Sequence, residues 1–348
     1  MFFNAVWIYG AVALLVVGMA IRQPALTVLA TLVLLTAGAS WLWNRYALHA
    51  VTYRRRLGAP RAFRDETVEL SCELVNKKPL PLAWIQVEDE IPERIEVEGR
   101  HVAPSERPTR AILPYLTSLR PYERVAWSVT LRCPHRGYFA FGPTRLRSGD
   151  IFGFFRREQT LEAEDRLIVY PRVVPLPELG IPPRQAFGNQ RAPRSLLPDP
   201  LRTVGVRDYH PEDSFRHLHW KATARVQQLQ VRVFEPTTVR QLGIFVNLDT
   251  FEHYWEGLDT VHSEAAITAA ASLASHAVGE RYAVGVYANG LLSGSDQTLR
   301  LAPGLGPAQL TRVLEGLAKL SPFATVDFPQ LLRTEMLRFP WGSTVVVK

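Results

Sequence analysis

The apolar stretches at the N-terminus constrain this chain more than any other feature. From Phe2 to Ile21 no residue carries a charge, and about 20 residues at a rise of about 1.5 Å cross a hydrocarbon core of about 30 Å. A second apolar stretch runs from Ala25 to Trp43, and Arg22, Gln23 and Pro24 supply a charge and a helix breaker between the two. The pattern predicts a transmembrane helical hairpin over 1–46, with helices at 2–21 and 25–43. Trp7, Tyr9, Trp41, Trp43 and Tyr46 stand near the ends, where amphipathic rings settle at the bilayer interface. A cleaved signal peptide fits less well: no basic segment precedes the apolar run, and Gly18-Met19-Ala20 is a weak cleavage-like site.

The net charge of +7 invites comparison with nucleic-acid binders, but its distribution argues otherwise. Arg22, Arg45, Arg54, Arg55, Arg56, Arg61 and Arg64 are the only charged residues among the first 64, so the remainder is formally neutral. The basicity belongs to the flank of the second span, a juxtamembrane segment at 47–58 suited to the lipid bilayer and its anionic headgroups. No nucleic-acid partner is expected. Because Lys and Arg stay on the cytoplasmic side, the expected topology is a two-pass inner or plasma-membrane protein with both termini and the soluble domains in the cytoplasm.

Between 59 and 170 the chain alternates apolar and polar residues in short runs, as in Glu66 to Val75, Leu82 to Val87, Arg124 to Leu131 and Gly137 to Phe141. Period-2 alternation broken by Pro and Gly predicts an antiparallel, immunoglobulin-like β-sandwich. Cys72, Trp84 and Cys133 echo the Cys…Trp…Cys arrangement of such domains, although Leu131 stands where the corner tyrosine would be. A cytoplasmic location would keep both thiols reduced.

A Pro-rich linker follows at 171–198. In 199–348 the order becomes strand, helix, strand: Gln241 to Leu248, Ser263 to Val278 and Tyr282 to Tyr287, then helices at Pro307 to Leu320 and Phe328 to Phe339 and a strand at Thr344 to Val347. That is an α/β layer order with a parallel sheet. Ending on a strand, the domain looks C-terminally incomplete. The fold class expected for the whole is α+β multidomain.

The densest polar stretch runs from Asp199 to Arg225 and on to Glu235. Gly205, Arg207, Tyr209, Pro211, Asp213, Arg216, Trp220, Ala224 and Arg225 stand at the positions of a pattern that resembles the signature of the domain-of-unknown-function 58 family; Glu212 replaces its glycine and Leu218 its isoleucine. Arg136 to Pro143 and Asp150 to Phe155 look like two further family motifs. The resemblance implies paired membrane helices, a β-sandwich and a von Willebrand A-like domain in that order. It also implies a protein partner, a MoxR-type AAA+ ATPase.

In the signature, Arg202, Arg207, Arg216 and Arg225 can pair with Asp208, Glu212 and Asp213. A buried or interdomain latch with Tyr209 and Trp220 packed across it is one reading; a partner-docking site that also uses Gly205, Pro211, His219, Lys221 and Glu235 is the other. His210, His217 and His219 with Asp213 form the alternative, a metal-dependent hydrolase or metal-binding site. Asp249, in Asn247 to His253, takes the place of the metal-adhesion loop that the resemblance implies, but Phe251 and His253 replace its serines. Most oxygen ligands for Mg²⁺ are therefore missing, so Mg²⁺ at Asp249 in a degenerate metal-adhesion loop is the lesser reading, and the favoured one makes Asp249 a cap for the following segment or the partner of an arginine. No phosphate-binding loop, nucleophile elbow or His-Glu-x-x-His motif is present, so no catalytic residue, cofactor or small-molecule substrate is assigned. An extracytoplasmic adhesion protein, with reversed topology and a Cys72–Cys133 disulfide, is the remaining alternative.

Overall fold

A computed structural model describes residues 2–151, 153, 155–181, 203–211, 213–234, 240–250, 257, 259–337 and 344–347. They form two units that meet in sequence at Pro171 and Arg172.

In the first unit, helices α1 (Phe2–Ala20) and α2 (Pro24–Ala47) pack together across the short turn containing Arg22. Pro24 opens α2, where its missing N–H costs nothing. By length and composition α2 can cross a membrane, and Tyr9–Ala20 is a shorter apolar helical run. The strands that follow are β1 (Val51–Leu57), β2 (Arg61–Phe63), β3 (Thr67–Asn76), β4 (Leu82–Pro92), β5 (Glu96–Val97), β6 (Ala103–Pro104), β7 (Arg110–Leu119), β8 (Arg124–Arg132), β9 (Gly137–Phe141), β10 (Thr144–Gly149), β11 (Arg156–Leu161) and β12 (Asp165–Tyr170).

Two antiparallel sheets, in the orders β1-β3-β8-β5 and β11-β10-β4-β7-β6, share a core with a third, smaller sheet, β2-β12-β9. Strand β3 shows why: Val68, Leu70, Cys72 and Leu74 point inward, while Glu69 and Ser71 are exposed. One apolar cluster takes Leu70, Cys72, Ile91, Leu113, Leu131, Cys133, Phe141 and Leu167, and a second takes Leu74, Leu82, Ile85, Leu119 and Leu146 together with Ala47, Leu48 and Val51. The end of α2 is thus part of the sandwich core. Within the basic segment at 47–58, Arg54, Arg55 and Arg56 lie on β1, registered against β3 from Val51↔Asn76 to Leu57↔Leu70.

Between the two clusters lies a polar layer. Arg55 pairs with Asp89, both side chains being 3 % exposed. Its guanidinium also donates to Asp165 Oδ2 at 2.8 Å and to the carbonyls of Phe141 at 2.8 Å and Ala163 at 3.1 Å. Asp89 accepts in addition from Thr144 Oγ1 at 2.8 Å and the Tyr53 hydroxyl at 2.9 Å. Gly142 has φ +93, and a Cβ there would lie 2.5 Å from Ala163 O, so only glycine fits beside this arginine.

Cys72 and Cys133 are both free and buried, and burial pushes each thiol up to about 11. The aromatic packed against Cys72 is not Trp84 but Trp127, its register partner on β8, which stacks on Tyr115 with 3.8 Å between ring centroids. Trp84 instead lies against Gly149.

Lys78 reaches back from the β3–β4 turn to donate to the carbonyls of Ala47 and, at 2.9 Å, His49. Burial holds its ammonium down at about 8. A depressed lysine favours the folded state above the unfolded value and loses that contribution as pH falls through the folded one. Stability is therefore expected to rise between about pH 8 and the ordinary lysine range. Chemical denaturation across that window should show this slope in the natural chain and lack it in Lys78→Met, and equal slopes would refute the assignment.

The second unit opens with β13 (Thr203–Asp208), α3 (Trp220–Val226) and β14 (Gln230–Phe234), β13 and β14 forming an antiparallel pair. Then come β15 (Gln241–Val246), α4 (Thr260–Gly279), β16 (Ala283–Leu292), β17 (Thr298–Gly304), α5 (Pro307–Lys319), β18 (Leu320–Ala324), α6 (Phe328–Met336) and β19 (Thr344–Val347). Strand β15 is parallel to both β16 and β19, as expected of these three strands, whereas β17 and β18, which the sequence pattern did not reveal, run antiparallel to β16, so the sheet is mixed. The reason is that the segment after β16 turns back as β17 instead of crossing over. Helix α4 buries Ile267 and Leu273 together with Ala266, Ala270, Ala271, Ala274 and Ala277, and the alanines let it lie close to the sheet. The start of the predicted linker is tied to this unit: Leu176 is buried and the Val174 N–H donates to Ser272 Oγ at 3.0 Å. Residues 182–202 lie outside the described residues.

Candidate functional site

The signature residues lie on and around the β13–β14 pair. Arg207, on β13, grips Asp213 with both terminal nitrogens, Nη2 to Oδ1 at 2.6 Å and Nη1 to Oδ2 at 2.7 Å. Asp213 also accepts the His210 N–H at 2.9 Å, and its own N–H donates to the His210 carbonyl. The loop from 208 to 213 is thereby closed on itself by a fork-to-fork pair that lysine could not reproduce. The Arg207 hydrogen bond holds the Asp213 carboxyl below its ordinary range, with the His210 N–H adding to it.

Around that closed loop, Tyr209 stacks on Phe215 at 5.5 Å, and Asp208 Oδ1 accepts from Gln230 Nε2 at 2.5 Å across the strand pair. His219 caps α3, its Nδ1 accepting the Ala222 N–H at 3.1 Å. Gly205 marks a register shift in β13, and Pro211 sits in the turn. Arg216, Lys221 and Arg225 are exposed. Glu235, Glu212 and Arg202 lie outside the described residues, and so do Phe251 and His253.

Two expectations change. Of the pairings foreseen, the described residues form Arg207 with Asp213, and Arg207 is exposed, so the latch is not buried. Trp220 does not pack across it: Trp220 and Phe215 are each 69 % exposed, and Val226 and Leu229 on the same small element are exposed as well. The proposed metal cluster does not assemble either. Asp213 is taken by Arg207, His219 Nδ1 by its cap, and among the described residues no group of three His, Cys, Asp or Glu side chains converges.

A second polar constellation sits at the carboxyl end of β15, where ligand loops of open α/β sheets are placed. Asn289 on β16 is fully buried, and its side chain ties the β15 loop together. Its Oδ1 accepts the Leu248 N–H at 2.9 Å, and its Nδ2 donates to Asn247 Oδ1 at 3.0 Å and Asp249 Oδ2 at 2.8 Å. The cap of α4 is Asp259, which accepts from Val261 and His262, not Asp249. Among the described residues Asp249 has no ion pair with an arginine, and its partner is an amide. Burial pushes the Asp249 carboxyl up, Asp327 reinforces this through its negative charge, and Asn289 opposes it. Sequence reasoning missed Asn289 and Asp327; the signal was an Asn-Gly pair inside an otherwise apolar strand.

A raised carboxyl favours folding when protonated, and that contribution is lost as pH rises through the folded value. Asp249→Asn, which keeps the shape without the charge, should accordingly stabilise the chain at neutral pH and flatten its stability profile in the carboxylate range. A lower midpoint at neutral pH by thermal unfolding would count against this placement.

Residues 205–336 match the family described as "Protein of unknown function DUF58", which is the family that the signature resembles. The match runs from Gly205 on β13 to Met336 at the end of α6. The uncharacterized protein YeaD of Bacillus subtilis (strain 168) is 27 % identical over 206 residues, 59 % of this chain and 49 % of that protein, so this chain spans about half the length of the curated relative it matches. Among solved structures, a PapD-like domain of human CEP192 shows 14 % identity over 34 % of this chain and 86 % of its own, with a TM-score of 0.23. The CARDB domain of a Pyrococcus furiosus protein shows 11 % identity over the same shares, also at 0.23. Scores this low do not define a shared fold.

Proposed function

We propose that this chain is a membrane-tethered, non-enzymatic adaptor that docks a protein partner through the signature element in its second unit. The observation that carries the reading is the pairing of a fixed scaffold with exposed aromatics. Arg207 and Asp213 close the loop, and beside it Phe215 and Trp220 stand in solvent. Large aromatics next to arginine are the residues that dominate protein–protein contacts, and a preorganised loop lowers the cost of ordering on binding. In the same reading the second unit is a von Willebrand A-like domain with Asp249 in a degenerate metal-adhesion loop, α1 and α2 form a two-pass anchor with the soluble units in the cytoplasm, and the partner, by family resemblance, is a MoxR-type AAA+ ATPase acting in complex assembly or envelope maintenance. In this reading any ATP hydrolysis belongs to that partner.

Affinity capture of the full-length chain from native membranes tests this. Phe215→Ala with Trp220→Ala is expected to lose the captured ATPase, hot-spot truncations costing about 2 kcal/mol or more each. Arg207→Lys should weaken capture while the chain stays folded. Unchanged capture in all these variants would remove the signature element from the interface.

A further inference from the structure

Three segments converge at the foot of α2. Lys78, 7 % exposed, spends its ammonium on the carbonyls of Ala47 and His49, and the Lys77 N–H donates to the Ala50 carbonyl at 2.9 Å. Asn76 Nδ2 bridges the Leu80 carbonyl at 3.0 Å to that of Arg120 at 2.9 Å, which joins the β3–β4 turn to the β7–β8 turn. From β11, Arg157 Nη1 donates to the Arg45 carbonyl at 2.9 Å. With Ala47, Leu48 and Val51 in the sandwich core, the last turn of α2 is fixed to these turns rather than linked to them by a free tether.

The side chains that this end of the sandwich presents to solvent share one chemistry. Lys77, Arg120, Arg45 and Arg157 are exposed cations, and Tyr122, on the same turn as Arg120, is 68 % exposed. Arg45 also lies over the Trp41 ring at 5.5 Å. Glu123 turns its carboxylate onto the Arg120 backbone N–H at 2.6 Å. Lys77 and Arg120 make no ion pair among the described residues. Cations interleaved with amphipathic aromatics suit the headgroup layer of an anionic leaflet.

We propose that the turns at 76–81 and 119–124, with Arg45 and Arg157, form a second membrane-contact surface that binds anionic phospholipid headgroups and seats the sandwich end-on against the bilayer. This rests on the reading of α2 as membrane-spanning, and it adds to that reading a lipid class and the face of the sandwich that meets it. The short ties from Lys78, Lys77 and Asn76 carry both turns to the surface wherever α2 leaves the lipid.

The test uses the full chain in nanodiscs of phosphatidylcholine alone or with phosphatidylglycerol added. A spin label at Pro121→Cys reports the depth of the rim, and one at Leu35→Cys, in a separate sample, reports the anchor; the native thiols are buried. In anionic discs the label at 121 is expected in the headgroup layer, and in neutral discs, at high salt, or with Lys77→Glu and Arg120→Glu together it should return to water, with the bound fraction falling about tenfold. A label at 121 that stays aqueous in anionic discs while the label at 35 is in lipid overturns the contact surface alone. An aqueous label at 35 overturns the anchor itself. Equal depth in neutral and anionic discs, indifferent to salt, overturns the headgroup claim; because the salt titration uses the unreversed rim, this holds even if the charge-reversal variant misfolds.

Discussion

Arg55→Met is expected to destabilise the first unit by about 3–5 kcal/mol, a large fraction of what a domain possesses. The guanidinium is enclosed by Asp89, Asp165 and two backbone carbonyls, and the Asp89 side chain is itself 3 % exposed. Methionine fills much of the volume but leaves a buried carboxylate with only the Thr144 and Tyr53 hydroxyls as donors. Burial already pushes the Asp89 carboxyl up against the pull of Arg55, so losing the arginine should drive it toward the neutral form. In a body of this size the midpoint should fall by on the order of 10 °C. The double variant Arg55→Met, Asp89→Leu should recover part of the loss, since an apolar replacement of both partners leaves no orphaned charge. A single-variant cost under about 1 kcal/mol would show that the pair is open to water in solution.

Asn289→Ala should cost about 2–3 kcal/mol in the second unit, because it strands a buried N–H and removes the donor shared by Asn247 and Asp249. The site is tight: a Cβ on the neighbouring Gly290 would lie 2.5 Å from Leu248 Cδ1, which leaves little room for the loop to relax. Asn289→Asp should be worse at neutral pH and recover on acidification, since it faces Asp249 with a second carboxylate. If Asn289→Ala unfolds at the same midpoint as the natural chain, the loop after β15 is not held by this amide.

Much of this arrangement was legible in the sequence, and the failures share a cause. The apolar helices and the alternation of β3 and β8 are local signals, readable from residue spacing alone. Strand β1 was hidden because three consecutive arginines mask a period of two; that Arg55 points inward depends on Asp89, 34 residues away, and on Asp165, 110 away. Trp127 displaces Trp84 from the core for a similar reason, since strand register rather than sequence spacing chose the partner of Cys72. In the signature, Arg207 and Asp213 were readable because they are six residues apart across one turn. Trp220 was misjudged because apolar character alone favours burial, whereas its position at the start of the short α3 leaves it in solvent. Asn289 acts on a loop some 40 residues earlier, and only the parallel pairing of β15 with β16 brings them together.

Direct binding decides whether this assembly is a docking platform. The full-length chain in nanodiscs should bind a purified MoxR-type ATPase at micromolar concentration or tighter, with and without nucleotide and Mg²⁺ compared. The combined Phe215→Ala and Trp220→Ala chain, equally folded and equally anchored, should lose that binding by at least tenfold, on the order of 1.4 kcal/mol. Binding that is absent for the natural chain under every nucleotide condition, or unchanged in the variant, would contradict the docking role assigned to the signature element.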